Sequence, residues 1–118
     1  MQKQPPRKPR RFFFNRAAGK EAEAIVAKQL EAEGYTIVGS QVGVRTSLGL
    51  RFIDHLVEDP AGNLIAMEVK SGGGVRTGLQ VAKDAEMATQ GATIVSSKVP
   101  RLTGQLKVIR TVVRTVPR

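Results

Sequence analysis

The segment LRFIDHLVEDPAGNLIAMEVKS, residues 50–71, constrains this chain more than any other. Two runs rich in β-branched and aliphatic residues flank Asp59-Pro60-Ala61-Gly62-Asn63, a cluster of turn formers. So short a connection makes the two strands antiparallel neighbours. Strand side chains alternate faces, so Glu68 and Lys70 share a face with Leu64 and Ala66, while Ile65, Met67 and Val69 take the other. On the preceding strand Asp54 shares its face with Phe52 and Leu56, and His55 turns away. The hairpin therefore brings Asp54 and Glu68 towards one end of an apolar sheet. Two carboxylates there repel each other and lose solvation, at a cost of roughly several kcal/mol. A divalent cation removes that conflict, and Mg²⁺ is suited to one or two carboxylates completed by water and phosphate oxygens.

Around this hairpin the chain spells one α/β (α+β) domain, a mixed central sheet flanked by helices in the order αβββαβ plus a final strand. Asn15 suits the N-cap of a helix from about 16 to 33, which Gly34 closes. YTIVGSQVGV reads as a strand that bends at its glycines. LQVAKDAEMATQ is helical and stops at Gly91; ATIVS and QLKVIRTVVRTV are strands. On the first helix Glu23 falls on the stripe of Val26, Ala27 and Leu30, whereas Glu21, Glu31 and Glu33 lie away from it. An acid in the first turn facing the sheet is a third member of the acidic group, or else it complements the helix dipole.

The 118 residues fit a single domain, and with no Trp and one Tyr the core is aliphatic. Cysteine is absent, which excludes disulfides and thiolate metal sites. No apolar run approaches a membrane span, and no signal peptide is visible. The net charge of +9 is concentrated at the ends. Lys3, Arg7, Lys8, Arg10, Arg11 and Arg16 lie in the first sixteen residues, and Lys98, Arg101, Lys107, Arg110, Arg114 and Arg118 in the last twenty-one, with no acid in either stretch. A mildly acidic body with basic ends is suited to gripping a polyanion. Residues 1–15 read as a basic, flexible arm in which Phe12, Phe13 and Phe14 dock onto the domain or stack on bases. Arg7, Lys8, Arg10 and Arg11 on that arm, with Arg45, Arg51 and Arg76 flanking the cleft, are the expected phosphate contacts. SGGGVRTG is a loop near the substrate or a plain connector. His55, the one histidine, is assigned to packing.

Asp54, thirteen residues, then Glu68-Val69-Lys70 resembles the D…(D/E)-x-K core of the PD-(D/E)XK, or restriction-endonuclease-like, nucleases. Ile53 stands where the motif's name has proline. GKEAEAIVAKQLEAEGY resembles the first helix of that superfamily, and residues 16–97 carry the likeness. Within it the chain is most similar to the C-terminal nuclease domains of polymorphic bacterial toxins of the contact-dependent inhibition and Rhs types. The resemblance implies a nuclease domain over 16–118 with a restriction-endonuclease-like core. It implies Mg²⁺ or Mn²⁺ held by Asp54, Glu68 and the Val69 carbonyl, with Glu23 assisting directly or through water. Lys70 would orient the attacking water, and Gln80 would stand beside the lysine. The expected substrate is DNA, the expected partner an acidic immunity protein, and the site of action the cytoplasm of a target cell. A resident junction-resolving or repair nuclease, an RNase toxin and a non-catalytic nucleic-acid-binding module are the alternatives.

Overall fold

The computed structural model describes residues 7–117, with side chains described from residue 19 onwards. Helix α1 (Arg7–Ala32) leads into three antiparallel strands, β1 (Thr36–Thr46), β2 (Gly49–Glu58) and β3 (Leu64–Ser71). Helix α2 (Gly78–Thr89) follows, then β4 (Ala92–Ile94), β5 (Leu106–Lys107) and β6 (Arg110–Val116). The six strands form one mixed sheet in the order β5-β4-β1-β2-β3-β6, and only β6 runs parallel to its neighbour, β3. The described residues thus form a mixed α+β domain with two helices. Among the described residues no helix is long and apolar enough to cross a membrane.

The hairpin turn forms as its residues require. Asp59 Oδ1 accepts hydrogen bonds from the backbone N–H groups of Ala61 (2.9 Å) and Asn63 (2.8 Å), and Gly62 takes the left-handed conformation at φ +88°. The alternation expected for β3 also holds. Ile65, Met67 and Val69 pack with Ala22, Val26 and Leu30 of α1, whereas Ala66 joins Met87 of α2, Val42, Val44 and Leu56 on the opposite face. Two cores therefore sandwich the sheet. Both helices end as read from the sequence, with Gly34 and Gly91 at φ +93° accepting the left-handed turn that closes a helix.

Two expectations are corrected. Helix α1 begins at Arg7 and continues through Asn15, so that residue is not its N-cap. Proline at position 9 is compatible with a start at Arg7, because it falls in the first turn, where no intrahelical N–H partner is lost. The side chains of Arg7, Lys8, Arg10, Arg11 and Phe12–Phe14 lie outside the described residues. The terminal segment, read as one strand, is two. Strands β5 and β6 occupy opposite edges of the sheet, yet only Val108 and Ile109 join them. In a flat six-stranded sheet those edges would stand about 24 Å apart, and three residue steps span at most about 11 Å. The sheet must curl. Ile109, fully buried, sits inside the curl with its N–H donating to the Met87 carbonyl at 3.0 Å.

Leu30 is fully buried between α1 and the sheet, so Leu30→Ala should cost about 2–5 kcal/mol. The check is urea unfolding, where the midpoint should fall while the slope stays that of the wild type.

Candidate functional site

The β2–β3 ladder runs from Glu58–Leu64 to His55–Met67 and stops there. Beyond that pair Asp54 takes over from the backbone, its Oδ2 accepting the Val69 N–H at 2.8 Å. The strands then part, and a cleft of about 440 Å³ opens in the fork. Leu50, Arg51, Phe52 and Asp54 line it from β2, and Glu68, Val69 and Lys70 from β3. Glu23 enters from α1, Gln41 from β1, and Gln80 and Lys83 from α2. Every residue expected to carry chemistry, Glu23, Asp54, Glu68, Val69, Lys70 and Gln80, faces this one space.

Glu23 reaches the cleft because α1 lies as its apolar stripe dictates. Ala22, Val26 and Leu30 are buried, Glu23 and Ala27 are half-buried, and Glu21, Glu31 and Glu33 are exposed. With the helix starting at Arg7, Glu23 sits mid-helix rather than in the first turn. The dipole explanation for its acid no longer applies, since that effect fades within a turn of the terminus. Two further residues fix it. His55 is buried, and its Nε2 lies 2.9 Å from the Glu23 backbone carbonyl while Nδ1 lies 2.8 Å from Ser40 Oγ. A carbonyl only accepts, so Nε2 carries the proton and Nδ1 accepts from the serine in the neutral ring. Gln41 then spans two acids, its Nε2 donating to Glu23 Oε1 (3.1 Å) and Asp54 Oδ1 (3.3 Å). It does so from a left-handed conformation, φ +53°, in a strand that also shifts register between Ile37 and Gly39. Gly39 and Gly43 signalled the bend, but no sequence pattern pointed to Gln41 itself.

Glu68 is 6% exposed and meets two cations, Arg51 Nη2 at 3.1 Å and Lys70 Nζ at 3.3 Å. Burial, followed by the negative charge of Asp54, pushes its carboxyl above the usual glutamate range, although Arg51 and Lys70 oppose the shift. Arg51 has a second role. It flanks the cleft as expected of a phosphate contact, but at 6% exposure it also acts as an internal strut, donating to Asp84 Oδ1 (2.8 Å), Asp84 Oδ2 (3.2 Å) and the Phe52 carbonyl (3.0 Å). Burial would lower its pKa, but the Asp84 hydrogen bonds and the charges of Glu68 and Asp84 raise it on balance. The strand turns Arg51 inward because Asp84, 4% exposed on α2, must be compensated. Arg76 also goes to Asp84, at 2.9 Å, with a quarter of its side chain open. Arg45 is exposed on β1 and does not line the cleft.

Gln80 lines the cleft, and its side chain closes a capping box. Its Oε1 accepts from Thr77 N–H, and its own N–H donates to Thr77 Oγ1. The spacing Thr77-x-x-Gln80 is the sequence signal for that box, and it ends the SGGGVRTG loop at a defined point. Lys83 donates to the Leu50 carbonyl at 2.8 Å, placing a cation on the rim.

The cleft is an acid-and-lysine site in which neutral donors hold Asp54 and cations hold Glu68. Among the described residues, no three His, Asp or Glu side chains form a ready-made metal cluster. No protein-family model matches the chain, and no curated protein or solved structure matches it. The chemistry of the cleft rests on its own geometry.

The raised Glu68 carboxyl has a signed consequence. The native state holds that proton more tightly than the unfolded chain, so its share of stability is present in acid and is lost as pH rises. The stability of wild type relative to Glu68→Gln should fall from the ordinary glutamate value upward and then level off. Urea unfolding of both proteins across that range tests this; a pH-independent difference would refute it.

Proposed function

We propose that this protein is a Mg²⁺- or Mn²⁺-dependent endonuclease that hydrolyses DNA, with its site at the β2–β3 fork. One observation carries the reading: Glu23, Asp54, Glu68 and Lys70, from three separate elements, line a single open cleft. The order α1, β1–β3, α2, β4 is compatible with a restriction-endonuclease-like core, and the likeness of Asp54…Glu68-Val69-Lys70 to the PD-(D/E)XK motif adds to that reading.

The donor set fits a hard divalent cation. Burial, and after it the negative charge of Asp54, raise the Glu68 carboxyl, and a cation between the two acids would relieve both. The ligands would be Asp54, Glu68 and the Val69 carbonyl, with Glu23 behind them. That carbonyl points towards Asp54, because the N–H and C=O of one strand residue lie on the same side and the N–H is bonded there. Such a cation would supply a water of lowered pKa and a Lewis acid for the phosphate. Lys70, beside Glu68 and partly open, holds the attacking water and offers positive charge to the phosphate as negative charge builds. Gln41 and His55 keep Glu23 and Asp54 facing each other. Lys83 and the basic chain ends attract the polyanion without reading its sequence.

The same reading makes the chain the toxic domain of a delivered bacterial protein, acting in the target cytoplasm and neutralised by an acidic immunity protein. The +9 charge would speed capture by an acidic inhibitor.

Supercoiled plasmid and tRNA, each incubated with the protein and Mg²⁺ or Mn²⁺, with and without EDTA, test the chemistry. Plasmid cleavage should require metal and should fall at least about a hundredfold in Glu68→Ala and Lys70→Ala, the scale of losing one transition-state contact. Cleavage of tRNA alone would reassign the substrate. Binding that survives EDTA without any cleavage would leave a basic binding module. For the toxin reading, expression in bacteria should arrest growth for wild type and not for Glu68→Ala; normal growth of wild-type expressers at high yield would count against it.

A further inference from the structure

Phe52 is the aromatic ring most open to solvent among the described side chains, at 56% exposure, and it lies in the cleft two residues from Asp54. A large apolar ring among the charged side chains of the cleft serves no core. Its position is held from behind. Phe52 pairs across the ladder with Gly43, where a Cβ would meet the ring at 3.2 Å and Val95 at 3.6 Å. Glycine therefore leaves room for the edge of the ring over β1, at a point that the exposed Val95 also approaches. Leu50, on the same side of β2, extends the apolar floor along the cleft. Below, the Arg51 guanidinium donates to the Phe52 carbonyl and locks the backbone at that residue. The result is an exposed aromatic ring in the cleft, with carboxylates at one end and the Lys83 ammonium beside Leu50 at the other.

We propose that Phe52 is a stacking platform for a nucleobase, so that the cleft selects DNA with an unpaired base next to the phosphate it cuts. This rests on the nuclease reading of the same site. A base inside a duplex has both faces covered by its neighbours, so only a single-stranded, mismatched or extruded nucleotide can offer one to the ring. Stacking is tolerant of base identity, so the selection is for exposure rather than sequence. Lys83 and Lys70, on either side, suit the phosphates flanking such a base.

Two measurements on one set of variants test the proposal. The first is steady-state cleavage of matched single-stranded and duplex oligonucleotides by wild type, Phe52→Tyr, Phe52→Leu and Phe52→Ala. Replacing the ring by Ala or Leu should raise KM for the single strand about tenfold or more relative to the duplex, without a matching fall in kcat, while Tyr retains wild-type behaviour. The Leu variant keeps apolar bulk over Gly43, so its loss reports the aromatic face rather than folding. The second uses a single-stranded oligonucleotide containing 2-aminopurine, bound in EDTA. Stacking should quench its fluorescence on wild type and Phe52→Tyr but not on Phe52→Leu. This readout needs no cleavage, so it separates failure of the platform from failure of the nuclease reading. Equal weakening on single strand and duplex, or quenching that survives in Phe52→Leu, would overturn the proposal.

Discussion

The hydrogen bond from Val69 N–H to Asp54 Oδ2 is where the sheet stops being a sheet. Up to His55–Met67 the backbones of β2 and β3 satisfy each other. One residue further, a side chain takes the place of the opposing carbonyl, and the strands are free to part. A buried N–H must be bonded, so the carboxylate is what allows the fork to exist without an orphaned donor. The same bond turns Asp54 inward and leaves its other oxygen for Gln41. Cleft and acid arrive together.

A fork in a sheet needs an internal brace, and charge supplies it. Arg51 spans from Glu68 on β3 to Asp84 on α2, and Arg76 closes the second oxygen of Asp84. Buried ions in this arrangement are a weak source of net stability, because desolvation offsets their attraction. Their effect is directional. Each guanidinium N–H fixes the orientation of a carboxylate, so Glu68 is held towards Lys70 and the cleft rather than free to swing. Neutral donors do the same for the other acids: Gln41 ties Glu23 to Asp54, and His55 pins the backbone of α1 behind Glu23.

The hairpin, its turn, the alternation along β3 and the buried stripe of α1 were all legible, because each follows from local periodicity and turn chemistry. Glu23, Asp54, Glu68 and Lys70 were legible for the same reason: a charged side chain on an apolar face stands out. The bracing role of Arg51 was not legible, since nothing local distinguishes an arginine that faces phosphate from one that must neutralise Asp84, thirty-three residues away. The start of α1 was placed too late because Asn15 resembles a cap, and capping preference is weaker than a helix that can extend through it. The break at Val108–Ile109 was hidden by a continuous β-prone run.

By itself the sequence determined the order of helices and strands up to β4, the hairpin turn, and which acids would stand on inward faces, because these depend on neighbours within a few positions. Only the tertiary structure decided that the sheet curls around Ile109, that Gln41 joins two acids, and that Arg51 braces the fork while Phe52 is left open beside it. Those outcomes depend on partners distant in sequence, and on the requirement that every buried charge and N–H find one.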